Sequence, residues 1–198
     1  MKHILPICAA AALSLFGPAA GTAEEIDRSK LADGWLMHFH PIQDNSKPDA
    51  TNGRSLATLL YTGGFPVGYD DAFELDPELK KYNERYWLIE YDGFLNLTEN
   101  GPYTFALTYE WPGGAQCGAK LELEGKQLVE LPITKNLAAG PRNAYADAQL
   151  QAGLYRAKTK VYCTNTNGYN PQFDLAIRGP SDPKPIPVSS NMMKHLRP

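Results

Sequence analysis

A chain of 198 residues with a formal charge of −3 and 43% hydrophobic residues is long enough to bury a real core in one domain and gives no reason to require two. Its mild acidity excludes a general electrostatic attraction to nucleic acid or to an anionic membrane surface. Gly (17) and Pro (16) are scattered along it, and no stretch sustains an apolar 3.6-residue period, so the expectation is short strands joined by turns.

Residues 1–23 carry Lys2 near their start, an apolar run over 4–16 and a small-residue ending at Gly21, Thr22 and Ala23. That pattern predicts a signal peptide cleaved after Ala23. The apolar run is short of the ~20 residues that a spanning helix needs, so no membrane insertion of the mature chain is expected. Cys8 follows Leu5, Pro6 and Ile7, without the small residue that precedes a lipidated cysteine, and leaves with the signal. Residues 24–198 are then a single domain, secreted or periplasmic. Cys117 and Cys163 remain, and an even pair in an exported chain reads as a disulfide, the alternative being two buried free thiols.

Along the mature chain, residues 35–42 read as an early strand that closes a sheet. On it His38 and His40 share a face and, with Asp44, could begin a metal site, but three or four ligands are needed and no other His lies nearby in sequence. Structural histidines on a polar sheet face are the plainer reading. The adjacent Asp70 and Asp71 read as a solvated turn. Residues 76–82 are the best short helix, with Asp76 as its cap and Pro77 at the first helical position.

Residues 86–97 form a strand rich in aromatic and branched side chains, with Gly93 as a bulge or bend. After turn chemistry at 98–102 comes a strand over 103–109, placing Tyr103, Phe105, Leu107 and Tyr109 on one face, and the two strands are expected to pair as a hairpin. A second hairpin joins 120–123 to 127–131 around Glu124, Gly125 and Lys126. Strands at 155–163 and 172–178 flank a polar loop, 164–171. The tail, 179–198, is expected to wrap the domain through Ile186 and Val188 and then fray, or to act as a docking strand. The spacing predicts an all-β, antiparallel sandwich or barrel.

The order of these pieces resembles the fourteen-kilodalton protective-antigen (PA14) domain family. The residues that carry the likeness are the strand 87–97, Glu-Asn-Gly-Pro-Tyr-Thr-Phe-Ala-Leu-Thr over 99–108, Leu-Glu-Leu-Glu-Gly-Lys-Gln-Leu over 121–128, Leu-Gln-Ala-Gly-Leu-Tyr over 150–155, Phe-Asp-Leu-Ala-Ile over 173–177 and Pro-Val-Ser-Ser over 187–190. The resemblance implies a β-sandwich used as a carbohydrate-binding or adhesin-type module, or as a structural spacer. In its calcium-dependent members two adjacent aspartates follow the Tyr-Thr-Phe strand and hold a cation that grips sugar hydroxyls. Here that segment reads Glu110, Trp111, Pro112, Gly113, Gly114, with one carboxylate, and Asp70 with Asp71 lies in an earlier loop. No cofactor is expected on these residues, with calcium at Glu110, Asp70 and Asp71 as the other option.

A Cys117–Cys163 bond would set the loops 110–116 and 164–171 side by side. Together they offer Glu110, Trp111, Asn165, Asn167 and Tyr169: a carboxylate, two amides and two aromatics, the chemistry with which rings stack on a sugar face and amides fix hydroxyls. The plainer alternative is that Trp111 covers the core edge and the Asn and Gly residues make turns. No Gly-x-Ser-x-Gly elbow, His-Glu-x-x-His helix or phosphate loop is present, so no enzyme is expected. Two functions follow: an exported glycan-binding module, or a non-catalytic subunit that meets another protein of the cell surface or periplasm.

Overall fold

A computed structural model describes residues 26–51, 54–65, 67–68, 71–82, 86–110, 115–133, 141–165 and 170–197. In chain order the strands are β1 (Leu31–Asp33), β2 (Trp35–Pro41), β3 (Ala57–Tyr61), β4 (Val67–Gly68), β5 (Trp87–Leu97), β6 (Gly101–Glu110), β7 (Gln116–Leu123), β8 (Lys126–Leu131), β9 (Arg142–Leu150), β10 (Gly153–Asn165), β11 (Gln172–Arg178), β12 (Ile186–Pro187) and β13 (Met193–Leu196). A helical turn, α1 (Asp71–Leu75), lies between β4 and β5. Every pairing is antiparallel, and the strands make two sheets. Sheet one has the order β1-β13-β5-β10-β7-β8, with β2 also on β5 and β3 outside β2; sheet two has the order β12-β11-β6-β9, with β4 also on β11.

The pleat explains the layering. On β6 Tyr103, Phe105, Leu107 and Tyr109 point inward, each at most 4% exposed, and on β11 Phe173, Leu175 and Ile177 do the same. Facing them from sheet one are Trp35, Met37, Phe39, Ile89, Tyr91, Leu95, Leu121 and Tyr155. Trp35 meets both Tyr91 and Phe65 edge-on, so large rings fill the core beside β2 and β5. The expected all-β sandwich with one disulfide is the architecture found.

Several expectations need correction. Residues 86–97 and 103–109 do not form a hairpin, because β5 lies in sheet one and β6 in sheet two. β5 has both of its edges occupied, by β10 on one side and by β2 and β13 on the other, and it is buried on both faces over most of its length. Nothing is left for β6 to pair with, so the connection arches between sheets. The Tyr103 hydroxyl ties that arch by donating to the Glu99 carbonyl at 2.8 Å, and Asn100 Oδ1 accepts the Ala152 N–H at 2.7 Å.

Gly93 is not a bulge either. The β5–β10 register runs through it unbroken, with Gly93 opposite Ala157. A Cβ there would stand 2.6 Å from the Lys194 carbonyl oxygen, so glycine is needed for the close approach of β13. The helix expected over 76–82 is a 3-10 segment (Pro77–Tyr82), with Asp76 Oδ1 accepting the Glu78 N–H at 3.0 Å.

The β7–β8 hairpin forms as expected, turning on Glu124 (φ 51°) and Gly125 (φ 72°). The tail passes through a fully buried Val188, whose N–H donates to the Leu175 carbonyl at 2.8 Å. Its last described residues, expected to fray, instead form β13 between β1 and β5, with Met193 fully buried and Lys194 bonded to Asp33.

Candidate functional site

One end of the sandwich is built by two crossings between the sheets. β6 ends at Glu110 in sheet two and β7 starts at Gln116 in sheet one, while β10 ends at Asn165 in sheet one and β11 starts at Gln172 in sheet two. The feet of the two loops are neighbours in both sheets, since Glu110 pairs with Gln172 and Gln116 with Asn165. In sheet one Cys117 and Cys163 are opposite each other in register, fully buried and joined by the disulfide. The bond therefore clamps the two strands from which both loops depart.

Of the five residues expected to form the site, Glu110 and Asn165 are described: Glu110 is exposed at the end of β6, and Asn165 is half-buried at the end of β10. Trp111, Asn167 and Tyr169 lie outside the described residues, as does Asp70.

Asp71 is not a solvated turn residue. It opens α1, is half-buried, accepts the Gly68 N–H at 2.9 Å and lies against the Tyr61 hydroxyl. Burial first, and then the Asp71 charge, push the Tyr61 phenol up to about 12. A Cβ at Gly68 would stand 3.0 Å from Asn170 Nδ2 and 3.4 Å from Asp71 Oδ1, so this glycine lets both side chains close over β4. Asp71 is thus committed to holding the chain together here.

Two groups at this end escaped the sequence reading. Asp174, on the outer side of β11, has its carboxyl pushed up by burial and then by Glu110, and its Oδ1 is buried without a partner among the described residues. Arg142 starts β9 on the phase that faces the core, and its Nη1 is likewise buried and unpartnered among the described residues. Beneath them Tyr109 and Phe173 stack at 5.0 Å and seal the core. Arg142 was missed because β9 presents Ala144, Ala146 and Ala148 inward, a small-residue face that carries little hydrophobic signal.

His38 and His40 do sit together, with ring centroids 6.5 Å apart, but His38 Nδ1 is 2.9 Å from Thr58 Oγ1 and Asp44 Oδ1 accepts from the Ser46 N–H and hydroxyl. Among the described residues no group of three His, Cys, Asp or Glu could hold a metal ion, and no helix is long and apolar enough to cross a membrane. What this end offers chemically is carboxylate, amide and guanidinium groups around paired loop feet, a set suited to hydrogen bonding with a polar ligand.

No family model and no curated protein matches the chain. Solved structures do. The A domain of Epithelial Adhesin 9 from Candida glabrata, in complex with Galb1-3GlcNAc, is similar at a TM-score of 0.59 and 11% identity over 90% of this chain and 96% of that one. A PA14 sugar-binding domain from an RTX adhesin is similar at 0.52 and 15% identity, over 82% of this chain and 98% of that one. An anti-sigma factor domain-containing protein is similar at 0.55 and 15% identity over 82% of this chain, which spans 48% of that protein's length. The chain has the β-sandwich fold of PA14 and adhesin A domains.

Proposed function

We propose that this is an exported, non-catalytic module that binds a glycan through the loops 110–116 and 164–171. The observation that carries the reading is the pairing of both loop feet above the Cys117–Cys163 bond, which makes one rigid base for the two loops. Support of a second kind comes from the fold, which is shared with domains described as sugar-binding or captured with Galb1-3GlcNAc. In this reading Trp111 and Tyr169 stack on sugar rings, Asn165 and Asn167 fix hydroxyls, and Glu110 accepts from them. No cofactor is assigned, and the compartment is the periplasm or the exterior.

The other reading, a protein-binding subunit of a surface or periplasmic assembly, is favoured by the missing aspartate pair after β6. A glycan array probed with residues 24–198, in calcium and in chelator, separates the two. Binding that survives chelation and is lost in Trp111→Ala, with the fold retained, is expected. Silence in both conditions, with a polypeptide copurifying, refutes the glycan reading.

A further inference from the structure

The connection that leaves β2 folds back over the outer side of sheet one. Asp49 anchors it there, with Oδ2 2.9 Å from Lys120 Nζ and its carbonyl 3.2 Å from Lys160 Nζ. Nearer to β2 the chain is fixed by a tight turn in which Asp44 Oδ1 accepts from the Ser46 N–H (2.8 Å) and hydroxyl (2.7 Å), while the Lys47 N–H donates to the Asp44 carbonyl at 2.9 Å. Between this turn and the residue that precedes β5 lies an open cleft of about 680 Å³, lined by Pro41, Ile42, Gln43, Asp44, Asn45 and Tyr86. That volume falls within the roughly 300–1,000 Å³ of small-molecule sites.

The lining has two sides. Pro41, Ile42 and the Tyr86 ring, which is 37% exposed, are apolar; Gln43, Asp44 and Asn45 carry two amides and a carboxylate whose Oδ1 alone is engaged in the turn. The backbone here is already used, because Ile42 donates to the Tyr86 carbonyl at 2.9 Å and Pro41 has no N–H. An added peptide strand therefore finds no free donor at Pro41 or Ile42, which favours recognition through side chains. Among the described lining residues none is a cation and Asp44 is acidic, which favours a neutral ligand over an anionic one. A molecule with one C–H face and a rim of hydroxyls, a neutral pyranose, matches both sides at once.

The cleft is at the same end of sheet one as the feet of the loops discussed above. β5 and β10 are neighbours, about 4.8 Å apart, and their pairing ends at Leu88 opposite Tyr162. Tyr86 lies just before that end on one strand, and Asn165 just after it on the other. We infer that the Pro41–Asn45 and Tyr86 cleft is a second sugar subsite, which makes the ligand a linear neutral oligosaccharide instead of a single terminal sugar. This rests on the glycan reading of the neighbouring loops.

The test is calorimetric titration of residues 24–198 with neutral oligosaccharides of one to four units from the glucose, galactose and N-acetylglucosamine series. Wild type, Tyr86→Ala and Asn45→Ala are compared, with near-ultraviolet circular dichroism to establish that each variant is folded. The subsite predicts affinity rising about tenfold between the shortest binding sugar and its longer homologues, and both substitutions erasing that rise while leaving the shortest sugar unaffected. Affinity independent of length, a rise that persists in both variants, or equal weakening of short and long sugars overturns the subsite alone. Absence of any binding by wild type overturns the subsite together with the glycan reading.

Discussion

Replacing Gly93 by alanine tests the reading of β13 as an integral strand. The added methyl would sit 2.6 Å from the Lys194 carbonyl oxygen and 3.6 Å from Trp35 Cε3, where real contacts to a Cβ do not fall below 3.0 Å. The clash is with backbone on one side, and Gly93 is held by Ala157 of β10 on the other, so no flexible side chain can move aside. Overpacking costs about 1–3 kcal/mol, and this rigid setting argues for the upper end. At about 2–4 °C per kcal/mol for a domain of this size, Gly93→Ala should lower the melting temperature by roughly 6–12 °C.

Urea unfolding with the disulfide intact reads the loss, and amide exchange should show reduced protection in residues 193–196 ahead of the rest of sheet one. Gly125→Ala is the control. No atom lies within 4 Å of its added methyl, so only the φ of 72° is penalised, at about 1 kcal/mol. A Gly93→Ala protein within about 0.5 kcal/mol of wild type, with β13 amides still protected, refutes the close-approach argument.

The acid limb of stability should carry a contribution from Glu90. Burial opposes its charged form, yet Lys158 Nζ at 2.8 Å and Lys160 Nζ at 3.4 Å outweigh that and hold its carboxyl below the usual glutamate value. A depressed native pKa gives stability that is present above the unfolded value, about 4.3, and lost as pH falls through the lower native one. Glu90→Gln should cost about 1.5–3 kcal/mol near neutrality by taking the carboxylate from Lys158 and Lys160, of which Lys160 keeps the Asp49 carbonyl, and should flatten that limb in urea titrations; parallel pH profiles of the two proteins would refute it. Replacing Cys117 and Cys163 by alanine together removes a cross-link spanning 46 residues, with an expected loss of about 4 kcal/mol in the chain-entropy model. Equal unfolding midpoints for the double variant and the oxidised wild type would show that the bond contributes nothing.

Strand content was legible where the sequence alternates strongly. β11 lies where the sequence placed it, residues 172–178, and β6 extends the expected strand to Gly101–Glu110, because aromatic and aliphatic residues alternate with Thr or charged ones. Partners were not legible, since a turn over 98–102 reads the same whether it joins two strands of one sheet or arches between two sheets. What decides is the occupancy of β5's edges by strands far away in sequence. β9 was missed because its inward residues are mostly alanine, and β13 because four residues with Lys194 and His195 among them look like a tail. At the candidate site the disulfide and the bounds of the two loops were legible, but not that both loops cross between the sheets, nor the cleft at Tyr86, whose walls come from segments about forty residues apart in sequence and meet through the β2–β5 register.

The placing of β13 also imposes an order on assembly. Until residues 193–196 are present, β5 has β10 on one edge at Phe94 and Leu95 but nothing on the other, and β1 has no strand to pair with among the described residues. In a chain that emerges from its amino end, both must wait for the last strand to arrive. Sheet one is therefore closed from within by residues that come late, and a shortened chain would hold an open seam beside its central strand, where another polypeptide can add.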